Sequence, residues 1–316
     1  MSAIESVENN IIFGPINSRR FGMSLGIDLS PNTKQCNFDC LYCELSPAKT
    51  VDIQTDTIEV SQIIKELQKH LNTKIDVITL TANVEPTLYS YLGELIDEIE
   101  QIKNSTKTLI LTNSATLTDD KVFNTLLKLD KVKLSLDAIS KDIFKKIDRP
   151  HKSIETNDIV KKVTEFSKIY NGELYIEILF VRGLNNTKEE IKKLNDALLD
   201  IKATRVDIGT IDRPPAYPVN GLEYKELYDI SLMFDNKIPI HIASRTKTQP
   251  TNSNYSFDEI INTLQMRPLT YDDINLLFDE ESKKRLQILL ENSKIIKKQV
   301  SNLEFLIPSS NLDKKP

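Results

Sequence analysis

From residue 59 to 243, short apolar runs alternate with stretches in which apolar residues return every three or four positions. Val60, Ile63, Ile64 and Leu67 fall on one helical face, so the spacing predicts a helix over 59–70. Val77 to Leu80 is too short and too β-branched for a helix and reads as a strand; Leu88, Leu92, Leu95, Ile96 and Ile99 mark the next helix, and Thr108 to Leu111 the next strand. The alternation continues with a helix capped by Thr118, a strand from Val132 to Leu136, a helix from Ser140 and another near 156–170. Strand Leu174 to Val181, a helix opened by a Thr187/Glu190 capping box, and strand Arg205 to Ile208 follow; 221–235 reads as a last helix and Pro239 to Ala243 as a last strand. With Leu25 to Ser30 as the first strand, six strands separated by helices up to Ile208 imply an α/β domain with a parallel sheet and helical crossovers. The pattern leaves an open doubly wound sheet and a barrel equally open.

The periodicity lapses over 245–254, rich in Thr, Asn, Ser and Gln, and this stretch reads as a linker between a 1–244 domain and a smaller 255–316 domain. In the latter, Ser256 and Glu259 form a capping box for a helix through Leu264. Thr270 caps a second through Phe278, and Asp279 opens a third carrying Leu286, Leu289 and Leu290 on one face. Ile295 to Val300 and Leu303 to Ile307 then flank Ser301-Asn302, a hairpin signal. Three helices followed by a hairpin resemble a winged helix.

A chain of 316 residues with 40% apolar content and a formal charge of −5 makes a large core available and gives no general electrostatic case for nucleic acid or membrane surfaces. Residues 255–316 hold nine Lys and Arg against ten Asp and Glu. The N-terminus lacks a signal-peptide pattern and no run approaches the ~18 apolar residues of a membrane span, which predicts a cytoplasmic protein with no membrane partner.

Chemistry concentrates in Cys36-Asn37-Phe38-Asp39-Cys40-Leu41-Tyr42-Cys43, which holds the only three cysteines of the chain. A zinc site takes four ligands as a rule, and the available histidines, His70, His151 and His241, have no zinc-finger spacing. Three clustered thiols as inert packing would be unusual. Three thiolates suit a four-iron cluster, one per iron, with one iron left open.

This C-x3-C-x2-C spacing, with an aromatic before the last cysteine, resembles the signature of the radical S-adenosylmethionine (SAM) superfamily. Phe13-Gly14-Pro15-Ile16-Asn17-Ser18-Arg19-Arg20-Phe21-Gly22, Ser24-Leu25-Gly26-Ile27-Asp28 and Asp212-Arg213-Pro214-Pro215-Ala216 resemble the branch grouped with wyosine-type tRNA-modifying synthases and Fe-S oxidoreductases. The resemblance implies an incomplete (β/α)6 barrel with its chemistry at the C-terminal strand ends, followed here by the winged-helix-like domain. It implies a [4Fe-4S] cluster on Cys36, Cys40 and Cys43, and SAM cleaved reductively to a 5'-deoxyadenosyl radical that abstracts hydrogen from a substrate. An electron donor such as flavodoxin or ferredoxin would supply the electron. Ala82-Asn83-Val84-Glu85-Pro86-Thr87 matches the family's SAM-holding loop except that Ala82 and Val84 replace glycines, positions where glycine permits positive φ and close backbone approach.

Carried over residue by residue, the resemblance makes Tyr42, Asn83, Val84, Glu85, Asn113, Ser135 and Asp137 candidate cofactor-binding residues; Val181 to Asn185 matches a loop near adenine. Asp148-Arg149-Pro150-His151 and Asp212-Arg213-Pro214-Pro215 read equally as substrate-facing loops and as structural clamps. Arg19-Arg20 reads as a salt-bridged or solvated pair, or as a phosphate contact. A tRNA base or a protein stands as expected substrate, although the second cysteine-bound cluster of the archaeal wyosine enzymes has no ligands here. The alternative is a non-catalytic Fe-S sensor with a DNA-binding winged helix. No Walker loop or Ser/His/Asp arrangement points to hydrolysis or phosphoryl transfer.

Overall fold

The computed structural model describes residues 11–18, 20–30, 33–81, 85–243, 254–266, 268–300 and 303–309. Strands β1 (Ile12–Ser18), β2 (Gly22–Asp28), β3 (Val77–Thr81), β4 (Lys107–Thr112), β5 (Lys131–Ser135), β6 (Glu173–Phe180), β7 (Arg205–Thr210) and β8 (Ile240–Ile242) form one sheet in sequence order. From β2 onward every neighbour is parallel. The crossovers carry α1 (Val60–Gln68), α2 (Leu92–Ile102), α3 (Asp120–Leu126), α4 (Lys141–Ile147), α5 (Thr156–Ile169), α6 (Lys188–Leu199) and α7 (Tyr224–Ser231). Their apolar stripes, such as Leu95, Ile96 and Ile99 on α2 and Ile159, Val163 and Phe166 on α5, pack against outward strand residues including Ile78, Ile110 and Ile176. No helix among the described residues is long and apolar enough to cross a membrane.

The sheet curls. β2 and β6 stand four places apart, ~19 Å in a flat sheet, yet the ring of Phe21, just before β2, lies 5.0 Å from that of Tyr175 on β6. Arg20 reaches Glu177 on β6 at 2.5 Å and Asp207 on β7 at 3.3 Å. No pairing between β8 and β1 closes the ring among the described residues.

The structure adds a strand that the pattern did not predict. β1 pairs antiparallel with β2 and carries an irregularity between Phe13 and Ile16, where Gly14-Pro15 interrupts the ladder. Such a strand is confined to a sheet edge, because proline gives no ladder donor. Phe13 packs over Gly26, where an added Cβ would stand 2.0 Å from the ring, so glycine is required there. Two helix starts also differ. Asp119, not Thr118, caps α3, its carboxylate accepting from Lys121 N and Val122 N. Thr187 caps α6, but Glu190 does not return to it; buried, it accepts from Ile139 N and Ser140 N and so serves the start of α4 instead.

At the N-terminal strand ends, Asp130 accepts from Lys103 Nζ (2.5 Å), Lys107 Nζ (3.0 Å) and Thr108 N (2.9 Å), pinning β5 to β4. Burial opposes its charge, but Lys103, Thr108 and Lys107 outweigh it and hold the carboxyl well below the usual range. A depressed carboxylate contributes stability above its unfolded pKa of about 4 and loses it as pH falls further. Asp130→Asn is therefore expected to lower unfolding free energy by ~1.5 kcal/mol at pH 7 and by less at pH 3, read from urea unfolding at both pH values. An equal loss at both would remove the charge from this account.

The second group of elements is α8 (Phe257–Met266), β9 (Leu269–Thr270), α9 (Tyr271–Leu277), α10 (Glu280–Glu291), β10 (Ile295–Val300) and β11 (Leu303–Pro308), with sheet order β10-β11-β9. The expected box at Ser256/Glu259 forms, and Thr270 caps α9 as expected, in a box that Asp273 closes. Its core of Ile260, Leu264, Phe278, Leu286 and Leu306 also takes in Ile16 of β1, and Tyr255 donates to Pro15 O at 2.9 Å. The exposed edge of the large sheet is thus covered by α8, which blocks edge-to-edge pairing. Of the expected linker 245–254, residues 245–253 lie outside the described residues.

Candidate functional site

The cysteine loop leaves the C-terminal end of β2, and backbone bonds fix its path. Asp39 N donates to Asp148 O (3.1 Å), Leu41 N to Ile147 O (2.8 Å) and His151 N to Asn37 O (2.7 Å), so the loop runs beside 147–151 like a short strand. Val51 N reaches Cys36 O, Glu85 N reaches Gln35 O, and Ala216 N reaches Cys43 O. Gln35, buried, accepts from Thr55 N and Asp56 N. The thiol positions therefore follow from backbone pairing more than from side-chain packing.

All three cysteines are free and partly exposed. Cys36 Sγ accepts from Phe38 N at 3.4 Å and lies 3.7 Å from Asn113 Nδ2, while Cys40 Sγ donates to Asp148 Oδ1 at 3.5 Å. Burial, then the charge of Glu85, pushes the Cys36 thiol up to about 12; burial and Asp148 raise Cys40, and burial raises Cys43 against the pull of Lys34. Thiols shifted upward in this way ionise when soft positive charge takes the place of the protons. Among the described residues no three His, Cys, Asp or Glu side chains converge closely enough to grip one metal ion. Three thiols on one loop that do not meet at a single point are the donor set that fits a cluster taking one thiolate per iron.

The other candidates gather around this loop from neighbouring strand ends. Asn113, after β4, donates from Nδ2 to Asn37 Oδ1 at 2.5 Å and accepts from Ala115 N. Ser114 behind it sits at φ +73°, the left-handed region that favours glycine. Tyr42 donates to Asp137 Oδ2, and Leu179 N donates to Asp137 Oδ1 at 2.7 Å. Tyr42, Asn113, Ser135, Asp137 and Asp148 line one small cavity of about 10 Å³, room for a single water. Burial raises Asp137 to about 6, and burial together with the charge of Asp137 raises Asp148 well above the usual carboxylate range.

Glu85 has a different surrounding. Fully enclosed, it accepts from Thr87 N, Thr87 Oγ1 (2.5 Å), Thr112 Oγ1 (2.6 Å) and Asn113 N (2.8 Å), knotting the end of β3 to the end of β4. Burial pushes its carboxyl up even against those donors. Its acceptor capacity goes to the protein itself, so it positions Asn113. Asn83 and Val84, with Ala82, lie outside the described residues. Asn185, in the loop expected near adenine, is buried and binds Val181 N, Asp137 O and Leu179 O.

Both proline-bound blocks act as clamps. Arg149 pairs with Asp39 at 3.3 Å and stacks 4.6 Å from the ring centre of Tyr217, which itself donates to Asp39. Arg213 Nη1 lies between both oxygens of Glu44, at 2.7 and 2.9 Å.

The sequence reading missed the floor of the curled sheet. Glu177 receives Arg20 and Lys133, and Asp207 receives Arg20, Arg205 and His241 Nδ1, the last at 2.8 Å. Arg20 is thus the salt-bridged partner of two carboxylates, and Arg19 lies outside the described residues. Burial opposes the charge on Glu177, yet Lys133 and Arg20 draw its carboxyl well below the usual range. The available signal was parity. Lys131, Lys133 and Ser135 alternate with Val132 and Leu134, and Arg205, Asp207 and Gly209 with Val206 and Ile208, which places polar groups on one face.

Comparison with known proteins agrees with this arrangement. The Radical SAM superfamily model matches residues 31–198. A UPF0026 protein of Helicobacter pylori strain J99 is 40% identical over 299 residues, 93% of this chain and 96% of its own length. Among solved structures, Streptococcus suis SuiB bound to S-adenosylmethionine superposes with a TM-score of 0.53 at 16% identity, over 69% of this chain and 50% of that one. TYW1 with a lysine-pyruvate adduct bound does so with a TM-score of 0.51 at 18% identity, over 68% and 74%. At those identities the two structures speak for the fold alone. The cysteine loop, the parallel sheet that presents it and the match over 31–198 together place this chain in the radical SAM superfamily.

Proposed function

We propose that this chain is a radical SAM enzyme with a [4Fe-4S] cluster on Cys36, Cys40 and Cys43, and with SAM held at the strand ends that carry Asn113, Ser135 and Asp137. The observation that carries the reading is the backbone-fixed loop that brings three free thiols to the mouth of the sheet, beside the polar ends of β4 and β5. When bound, these cofactors supply one-electron cleavage of SAM and hydrogen abstraction from a substrate. This chain's part is orientation and exclusion. The ladder to 147–151 holds the thiols, Asn37 and Asn113 hold each other beside Cys36, and Tyr42 fixes Asp137.

The helix-strand-helix-helix-hairpin order of the C-terminal unit supports the winged-helix reading, and its charges argue against a nucleic-acid role for it. Lys283 is tied to Glu280, Lys284 to Glu281 and Lys297 to Glu304, and Arg285 donates to Tyr255 O. Such exposed pairs are weak, and the stronger ground is the balance of nine Lys and Arg against ten Asp and Glu over 255–316, which leaves no basic surplus to draw phosphates. We infer that this unit serves packing and protein contacts, which disfavours the DNA-binding sensor.

Anaerobic reconstitution with iron and sulfide, then reduction by dithionite in place of a flavodoxin or ferredoxin with SAM present, tests the reading. About four irons per chain and release of 5'-deoxyadenosine are expected. Bound zinc in place of iron, or a full cluster without SAM cleavage in the presence of tRNA and peptide pools, would overturn it. The tRNA base expected from the family resemblance is the first substrate to supply, with peptides as the second arm.

A further inference from the structure

The loop between β7 and α7 crosses from the far side of the sheet to the cysteine loop. Its roots are fixed. Thr210 Oγ1 donates to Phe180 O and accepts from Leu222 N, while Arg182 donates to Asn220 O and Gly221 O and pairs with Glu226 at 2.6 Å. Between the roots, Pro214 is buried and Pro214-Pro215 stiffens the path. At the crossing, three contacts of different kinds meet the cysteine loop: Ala216 N to Cys43 O at 2.8 Å, Arg213 to Glu44, and Tyr217 to Asp39. Arg149, stacked on Tyr217 and paired with Asp39, joins the same crossing to the 147–151 ladder.

We propose that residues 211–221 are a fixed strap across the mouth of the sheet, in which Arg213 and Tyr217 are positioning residues that set the conformation of the Cys40–Glu44 segment and shield the Cys43 side of the site from solvent. The shielding rests on the proposed cluster; the positioning does not. A strap bound to both β7 and the cysteine loop ties the two together across the strand ends.

The test is amide hydrogen exchange of the full chain without iron, in Arg213→Ala, in Tyr217→Phe and in Arg213→Lys. Exchange over 36–44 and 211–217 is expected to rise about tenfold in Arg213→Ala and about threefold in Tyr217→Phe. Arg213→Lys, which keeps a cation beside Glu44, should stay within about threefold of wild type, with β3 to β6 unchanged throughout. Exchange within about twofold of wild type in both segments of Arg213→Ala would overturn the proposal. Should Arg213→Ala loosen β3 to β6 as well, Tyr217→Phe decides by the same criterion. In reconstituted protein the visible absorption should bleach in air about tenfold faster in Arg213→Ala, and an unchanged rate removes the shielding. A wild type that takes up no iron defeats the proposed function and leaves the exchange result to judge the strap.

Discussion

Cys40→Ala is expected to reduce reconstituted iron from about four to below one per chain and to abolish deoxyadenosine formation, while the fold stays intact. Cys40 is the middle of the three proposed ligands and its thiol faces Asp148, so its loss removes a donor that no neighbouring sulfur can replace. The backbone on either side does not depend on it, because Asp39 N and Leu41 N remain bonded to Asp148 O and Ile147 O. Stability of the iron-free chain should therefore change by less than about 1.5 kcal/mol. Iron analysis, deoxyadenosine chromatography and urea unfolding on the same preparation check all three statements. Full iron retention in Cys40→Ala would mean that the thiols are not the ligands. Loss of iron together with several kcal/mol of stability would mean instead that the cysteine holds the loop.

The α/β alternation was legible because each crossover helix needs one apolar stripe and each outward strand face an apolar row, and both leave short-range periodicities. β1 left none. Its Gly14-Pro15 and Asn17 look like a loop, and part of what makes it a strand is Tyr255 and the core around Ile260 and Leu264, some 240 residues later. The choice between an open sheet and a curled one was also present as parity. A doubly wound sheet buries both faces, yet Lys133, Glu177 and Asp207 sit where the second face would be. The cysteines were legible through their ligand chemistry alone. The strap was not, since the Arg213–Glu44 pair joins positions 169 apart in sequence and nothing local to either residue names its partner. Glu85 could be picked out by its place in a motif, but its saturation by Thr87, Thr112 and Asn113 shows only in three dimensions.

Glu177→Leu is expected to destabilise the protein by about 3 kcal/mol at neutral pH. The carboxylate, 20% exposed, lies between Arg20 and Lys133, and Lys133 has only 10% of its side chain exposed. Arg20 keeps Asp207 when Glu177 is removed, but Lys133 is left as a charge facing a low-dielectric wall. Lys133→Met added to Glu177→Leu should therefore recover a large part of the loss, because an apolar pair of similar volume carries no desolvation cost. The pH dependence has a fixed sign. The Glu177 pKa is depressed, so its contribution is complete above the unfolded glutamate value near 4.3 and fades as pH falls below it, and the gap between wild type and Glu177→Leu should narrow from pH 7 to pH 3. Urea unfolding of the three proteins at both pH values measures this. A loss below about 1 kcal/mol at pH 7 would show that water screens the pair and that the floor is wet, whereas the full loss with rescue by Lys133→Met makes it a dry, self-neutralised base beneath the strand ends where the proposed chemistry occurs.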